Sequence, residues 1–298
     1  MFNIKTSLIF KLHANPLDVQ LIEQERTAAA HYSFVHTAYV SFLRQKSKLM
    51  WLKDGDLNTK FFHNSIRMKQ SKNKVHSITN MEGNTVSGPD LVADAFVKYY
   101  QHILGTSVAR KSVNSRILAL GPLVANDIHP VLIAPLSSDA VYKSMRSIAG
   151  IKAPGPDGFG SQFDKDAWPI VGESVVAAVQ QFFENGKLLT EVNSTSISLI
   201  PKVAQPTHLS DFRPISSCSV IYKCITKILC ARMKLVLPDI FSQNQSGFVE
   251  SRNIVHNIMV IQDLLKHYGR KNAPEAVLVK MDLRKAYDMV EWSFLEVM

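Results

Sequence analysis

Asp282 is the residue of this sequence whose surroundings most favour chemistry. It lies in a β-branched, mostly apolar run at 276–283, which predicts a buried strand that delivers the carboxylate at its end. Burying an acid beside a core is costly unless its charge is paired or binds a metal ion. Mg²⁺ takes protein carboxylates together with substrate phosphate oxygens, so Asp282 is a candidate magnesium ligand. The alternative is a strand-end aspartate that caps the helix predicted to follow through Asp288.

The segment 44–76 carries most of the excess positive charge. It contains nine basic residues and two acids, a net +7 of the chain's +9, with Trp51, Phe61 and Phe62 among them. Basic side chains bind phosphates and aromatic rings stack on unpaired bases, so the segment could bind nucleic acid. A solvated helix surface with its aromatic residues in the core is the alternative. The candidate contacts here are Lys60, Arg67 and Lys69.

Length and composition exclude several classes of protein. The chain has 298 residues, 46% of them apolar and 20% charged, which excludes a disordered or low-complexity chain and suggests about two domains. The N-terminal apolar run is too short for a signal peptide, and no stretch reaches the roughly 18 apolar residues of a membrane helix. We therefore expect an intracellular protein, in the nucleus or cytoplasm, that does not associate with a membrane.

The three cysteines, Cys218, Cys224 and Cys230, are too few for a disulfide scaffold and fit a reducing compartment. They are spaced six apart, and on a helix each such step rotates the side chain by about 240°. Three thiols on different sides of a helix cannot bind one zinc ion, so we expect small buried side chains instead.

Five segments occur in an order that resembles the reverse transcriptases of non-long-terminal-repeat (LINE-type) retrotransposons. The resemblance covers roughly residues 50 to 298, and 51–63 is similar to the segment that joins endonuclease and polymerase in plant members. It implies an RNA-directed DNA polymerase with the right-hand fold of fingers, palm and thumb. The five segments are KAPGPDG at 152–158, LIPK at 199–202, DFRPIS at 211–216, QSGFVESR at 245–252 and the strand around Asp282.

The resemblance assigns roles to the residues around the predicted palm strand. Asp282 matches the first catalytic, metal-binding aspartate, and Leu283 would offer its backbone carbonyl to a metal ion. Tyr287 matches the aromatic residue that packs under the incoming sugar; an ordinary core tyrosine is its alternative. Asp288 is expected to be structural rather than a metal ligand.

The fingers residues implied by the resemblance are basic. Lys202 and Arg213 match the pair that holds the incoming deoxynucleoside triphosphate, in which arginine offers a fork of donors and lysine a point charge. Simple solvent exposure is the alternative for both residues. The segments expected near the template supply the further nucleic-acid candidates Lys152, Gln245 and Arg252.

The implied reaction is two-metal nucleotidyl transfer with Mg²⁺, an RNA template, a DNA primer and deoxynucleoside triphosphates. Family members carry a Tyr-x-Asp-Asp turn after the first aspartate, but this sequence has no Asp-Asp pair, and 16 residues follow Asp282. We therefore expect a fragment without endonuclease, complete palm or thumb, and an isolated chain that is inactive. The alternative function is a non-catalytic, nucleic-acid-binding remnant of a retrotransposon.

The patterns indicate an α+β fold with a mainly helical N-terminal region, and the resemblance implies that the rest is a partial right-hand polymerase of fingers and first palm strand. The expected parts are a basic connecting region at 1–73, a hairpin, helix and linker at 74–135, a fingers-like part at 136–275 and the start of the palm at 276–298. The patterns predict helices at 16–50, from Pro89, 137–148, 174–184, 220–237, 253–268 and from Lys285; a hairpin at 74–86; a linker at 105–135; a shaped loop at 152–158; and strands at 196–201 and 276–283.

Overall fold

The structure is a computed structural model that describes residues 10–47, 59–105, 116, 120–247, 249–250, 252–267, 277, 279, 290 and 292–297. The chain divides into two compact units, Met1–His76 and Ser77–Met298, here called the first and second unit. In the described residues, helices predominate and the strands form two separate two-stranded sheets, which confirms the α+β class. No described helix is both long and apolar enough to span a bilayer. The division into four parts stays a prediction.

The first unit begins its long helix α1, Val19–Ser47, where the sequence predicts one. The Asp18 carboxylate accepts hydrogen bonds from the backbone N–H groups of Gln20 at 2.9 Å and Leu21 at 3.1 Å. These bonds satisfy donors that have no partner within a first helical turn, so Asp18 caps the helix.

Helix α2, Thr59–Asn73, packs against the C-terminal half of α1. Val40 and Leu43 of α1 and Phe62 of α2 form a small buried core. Phe62 is fully buried, so this ring belongs to the core and is not available for stacking on a base. Its burial stabilises the pairing of the helices by about 2–3 kcal/mol.

All the strands of the described residues, and the helices after α2, lie in the second unit. Its strands are β1 (Ser77–Thr79), β2 (Thr85–Ser87), β3 (Thr195–Pro201) and β4 (Phe212–Cys218). Its helices are α3 (Pro89–Gly105), α4 (His129–Leu132), α5 (Ser138–Ser147), α6 (Ser161–Asp166), α7 (Trp168–Asn185), α8 (Thr190–Asn193), α9 (Val220–Met233), α10 (Leu237–Ile240), α11 (Ile254–His267) and α12 (Trp292–Val297).

The predicted hairpin is formed by β1 and β2, which pair antiparallel with Ile78 opposite Val86. Asn80 shapes the turn, because its side-chain oxygen accepts the backbone N–H groups of Glu82 and Asn84 at 3.1 and 2.8 Å. Such side-chain bonds replace backbone bonds within a turn and explain why an asparagine starts it.

The main core of the second unit lies between α5, α7 and α9. Val141 and Met145 of α5, Val179 of α7, and Cys224 and Ile225 of α9 are almost fully buried there. Helix α5 starts as predicted, with the Ser137 hydroxyl accepting the Ala140 N–H at 3.2 Å. This three-helix core supports β4, which is directly followed by α9.

Several predicted helix boundaries were wrong. Helix α7 begins at Trp168 rather than near 174, because Pro169 sits in its first turn, where a missing N–H costs nothing. Helix α9 ends at Met233, and Pro238 lies in the first turn of α10 instead of ending one long helix. The predicted linker at 105–135 contains the short helix α4.

The prediction of three buried cysteines was correct only for Cys224. Burial raises the pKa of the Cys224 thiol. Cys218 is half-buried at the end of β4, so the three residues do not share one helix. Cys230 is exposed, because six residues of rotation turn it away from the face that buries Cys224.

Candidate functional site

The β3–β4 hairpin brings the two predicted triphosphate-binding residues together. In its antiparallel register Ile200 lies opposite Arg213 and Pro201 opposite Phe212. The ladder continues to Lys202, whose backbone N–H donates to the Asp211 carbonyl at 2.7 Å. Since side chains alternate along a strand, Lys202 and Arg213 share one face, as diagonal neighbours about 7–8 Å apart.

The opposite face of this hairpin fixes it to the fold through Phe212. This ring is buried and meets the Phe96 ring of α3 edge-on, with 5.0 Å between centroids. The β1 strand approaches the same region, because the Thr79 N–H donates to the Thr207 carbonyl at 2.9 Å. One face of the hairpin is therefore anchored while the face that carries the cations is left open.

The two cations differ in what they already bind. The Lys202 ammonium donates to the Ser210 carbonyl at 2.7 Å. Arg213 is exposed, and among the described residues its guanidinium has no polar partner. An ammonium has three donors and a guanidinium five, so both residues can bind phosphate oxygens without losing the hairpin.

Asp211 holds the turn between β3 and β4 in place. Its carboxylate accepts the backbone N–H groups of His208 at 2.9 Å and Thr207 at 3.0 Å. These bonds, first that from His208, lower the pKa of Asp211, and the nearby charges of His208 and Lys202 add to the effect. The carboxylate stays ionised and satisfies the amides of the turn, and the turn fixes the register that aligns Lys202 with Arg213.

The predicted shaped loop at 152–158 docks on the junction between β4 and α9. A Cβ atom on Gly155 would lie 2.5 Å from the Ser219 nitrogen and 2.7 Å from the Cys218 carbonyl carbon. Both neighbours are backbone, so no side chain fits at Gly155 without moving the chain. The Lys223 ammonium secures the loop from α9 by donating to the Ala153 carbonyl at 2.7 Å.

Lys152 itself is exposed and has no polar partner among the described residues. Its loop meets the end of β4 that lies about 15–20 Å along the strand from Arg213. The structure therefore does not bring Lys152 and Arg213 to one site. A nucleic-acid chain several nucleotides long could contact both.

Arg252 holds a loop of its own protein. Its guanidinium donates to four backbone carbonyls, those of Pro238, Phe241, Ser242 and Gln245, at 2.6 to 3.0 Å. These bonds occupy the donors that a phosphate group would need. The predicted nucleic-acid contact at Arg252 thus acquires a competing structural role.

Gln245 lies at the edge of the Arg252 loop. It is exposed, and its side-chain amide makes a long bond of 3.4 Å to the Gly247 carbonyl. A bond of that length is weak, so the amide is available for a polar partner. Its contact with nucleic acid stays a prediction.

The three candidates on α2 separate onto two faces. Lys60 and Arg67 are seven residues apart, which places them about 20° from each other around the helix, and both are exposed. The Lys69 ammonium instead donates to the carbonyl of Ser47, the last residue of α1. A cation there caps the carbonyl end of a helix, so Lys69 has a structural partner.

The candidates of the predicted palm strand, Asp282, Leu283 and Tyr287, lie outside the described residues, as does Trp51. Within the part of the chain that is described, no group of three His, Cys, Asp or Glu side chains is placed to hold a metal ion. The roles that the resemblance assigns to these residues stay predictions.

Two residues of the arrangement were not singled out by the sequence. Gly155 is marked by its place between two prolines, but its close approach to Ser219 depends on tertiary packing. Asp211 directly precedes Phe212 and Arg213, and its turn-forming role follows a common pattern in which an acid accepts nearby backbone N–H groups. That pattern could have identified it.

Comparison with known proteins agrees with these observations. Residues 200–297 match the family model described as reverse transcriptase (RNA-dependent DNA polymerase). The chain is 25% identical over 250 residues to the transposon TX1 uncharacterized 149 kDa protein of Xenopus laevis, covering 84% of this chain and 19% of that protein. It is 25% identical over 136 residues to the retrovirus-related Pol polyprotein from the type-2 retrotransposable element R2DM of Drosophila melanogaster, covering 46% and 12%.

These similarities confirm the prediction of a reverse transcriptase segment of a retrotransposon, and they support the non-long-terminal-repeat kind. The matched region contains β4 and the turn between β3 and β4, with Lys202 before this turn and Arg213 after it. The chain spans less than a fifth of the length of each of these two relatives.

Proposed function

We propose that this chain forms the fingers side of a right-hand polymerase that copies RNA into DNA for a retrotransposon. The observation that carries the proposal is the shared face of Lys202 and Arg213 on the β3–β4 hairpin, inside the region that matches reverse transcriptases. Plant origin is a further expectation from the sequence and belongs to the same proposal.

The hairpin binds the triphosphate of the incoming nucleotide. Arg213 has no polar partner among the described residues, and its guanidinium donates bidentate hydrogen bonds to two phosphate oxygens. Lys202 adds a second positive charge from the same face. The anchored ring of Phe212 fixes the strand backbone from which both cations project before the nucleotide arrives. Preorganised charge of this kind stabilises the transferring phosphoryl group without reorganisation during the reaction.

Template and primer lie against the remaining candidates. Lys152 and Gln245 are exposed and contact the RNA template, while Arg252 shapes the loop that presents Gln245. Magnesium, when bound by Asp282 and the Leu283 carbonyl, would activate the primer 3′ oxygen and neutralise the leaving pyrophosphate. With the triphosphate, template and magnesium contacts assigned in this way, the whole enzyme would synthesise DNA on a DNA primer with RNA as the template.

Nucleotide binding tests the proposal on the full chain. A fluorescent deoxynucleoside triphosphate is titrated with Mg²⁺ into the wild-type chain and into Arg213→Gln and Lys202→Gln. We expect Arg213→Gln to weaken binding about tenfold or more, because a charge-assisted bidentate contact is lost. Lys202→Gln should have a smaller effect, since its ammonium is shared with Ser210.

The matched control is Arg146→Gln, which removes an exposed arginine of α5 away from the hairpin. It should leave the affinity unchanged. Equal affinities for wild type and Arg213→Gln, or no measurable binding by the wild-type chain, would contradict the proposal.

A further inference from the structure

The paired helices of the first unit carry basic side chains with no acid among them over most of their length, because the two acids of α1, Glu23 and Glu25, both lie in its first two turns. Residues 26–47 and 59–76, all described, contain eight Lys and Arg, four His and no Asp or Glu. A surface of one sign repels itself and attracts a polyanion. The eight are Arg26, Arg44, Lys46, Lys60, Arg67, Lys69, Lys72 and Lys74.

Aromatic side chains form a stripe along one side of α1. Tyr32, Val35, Tyr39, Phe42 and Lys46 are spaced by three and four residues in turn, which keeps them on one face of a helix. Tyr39 is 44% exposed and Phe42 53%, although both flank the buried core of the unit. The Lys46 ammonium lies 5.5 Å from the centre of the Phe42 ring, so charge and ring share one patch.

A second stripe on α2 adjoins the first. Lys60, His63 and Arg67 are spaced by three and four residues and share a face of α2. The Tyr39 hydroxyl lies 3.1 Å from the His63 Nε2, within hydrogen-bond distance, and this contact joins the two stripes. The combined surface presents two exposed rings beside three cations, Lys46, Lys60 and Arg67.

We propose that this surface of the first unit binds single-stranded nucleic acid. Tyr39 and Phe42 stack on unpaired bases, while Lys46, Lys60 and Arg67 contact phosphates. The two rings are three residues apart, about 4.5 Å along the helix, which suits successive unstacked bases. A duplex hides the faces of its bases, so the exposed rings distinguish a single strand from a duplex. All these residues lie outside the β3–β4 hairpin, so the inference does not depend on the polymerase assignment.

A second copy of this chain fits the surface less well. The spacing of the α1 stripe could serve helix pairing, but a symmetric partner would bring the same uncompensated cations against these. Like charges across an interface cost several kcal/mol. Phosphate groups neutralise them instead.

Binding to the full chain is measured by fluorescence anisotropy with a mixed-sequence single strand, as RNA and as DNA, and with the matching duplex. We expect the single strands to bind more tightly than the duplex. The ratio of the RNA affinity to the DNA affinity then identifies the preferred sugar. Tyr39→Ala and Phe42→Ala should each weaken single-strand binding about tenfold. Three phosphate contacts predict an affinity that falls about 20-fold when salt rises from about 50 to about 200 mM.

Matched controls exist on both helices. Phe34→Ala removes a 73% exposed ring of α1 that lies about 140° from Tyr39, and it should not change the affinity. Lys72→Gln removes a cation about 140° from Arg67, and it should have much less effect than Lys60→Gln or Arg67→Gln. Circular dichroism establishes that each variant keeps its helices. Lys60→Gln and Arg67→Gln test the surface without removing a ring.

Three results would overturn the inference. These are duplex binding as tight as single-strand binding, equal losses in the stripe and control variants, or a dimer that Phe42→Ala dissociates while nucleic-acid affinity stays unchanged. None of them bears on nucleotide binding by Arg213, so the two proposals can fail separately.

Discussion

The basic side chains of the two units differ in what they contact. In the second unit, at least six of the described Lys and Arg side chains donate to backbone carbonyls and thereby hold loops and helix ends. In the first unit, among the described residues, Lys69 alone does so. The six are Lys165, Lys202, Lys223, Lys227, Arg232 and Arg252.

This difference shows that a positive residue in the sequence is not yet a positive binding site. A carbonyl-bound cation keeps its charge but loses its free donors, so its removal is expected to affect folding first. An exposed cation with no partner affects ligand binding first. Lys202 stands between these classes, because it binds a carbonyl and faces the open side of the hairpin.

The largest expected effect is on the free energy of unfolding, in a comparison of alanine variants of Arg252 and Arg67. Arg252→Ala leaves four carbonyls without their donor, and we expect it to lower the free energy of unfolding by about 3 kcal/mol. Arg67→Ala, on an exposed helix face, should change it by less than about 0.5 kcal/mol. Urea denaturation measures both. Arg252→Lys, with fewer donors and no planar fork, should recover only part of the loss.

A smaller test lies within the first unit, between two lysines of one helix. Lys69→Met removes the cation at the end of α1 and should destabilise the helix pair by about 1 kcal/mol. Lys60→Met should leave stability unchanged and weaken nucleic-acid binding. Thermal unfolding followed by circular dichroism, with the anisotropy assay alongside, separates the two. Equal stability of both variants would contradict a structural role for Lys69.

Much of the local fold was predictable because its determinants are close in sequence. Asp18 and Ser137 cap helices through bonds that reach two or three residues ahead. The Asn80 turn is equally local. Strand β4 was missed because its residues, FRPISSC, contain a proline and do not alternate regularly. Its pairing with β3 supplies the order that its own sequence lacks.

The site was less predictable because its geometry depends on distant contacts. The sequence named Lys202 and Arg213, but only the register of β3 with β4 places them on one face. It also named Lys69 and Arg252, whose donors are used by carbonyls 22 residues and 7 to 14 residues away. The type of a basic residue does not reveal whether its donors are already bound.

The smallest expected effect concerns a half-buried acid of the second unit, Asp164, which follows the same rule as the cations: what matters is whether the charged group has a partner. Its neighbour Lys165 donates to the Ile148 carbonyl, and one Asp164 carboxylate oxygen is buried without a hydrogen-bond partner. Burial, and then the charge of Asp157, raise the pKa of Asp164 above its ordinary value. The folded chain therefore holds this proton more tightly than the unfolded chain, so ionisation at neutral pH destabilises the fold.

Asp164→Asn should accordingly raise the melting temperature at pH 7, by no more than a few degrees. The gain should shrink as pH falls through the raised pKa and vanish once the wild-type carboxyl is protonated in both states. Calorimetric scans between pH 7 and pH 3 measure this, with the exposed Asp127→Asn as the control that should not change. If Asp164→Asn lowered the melting temperature at pH 7, the carboxylate would have a stabilising partner. The contrast between cations that bind carbonyls and an acid without a partner would then not hold.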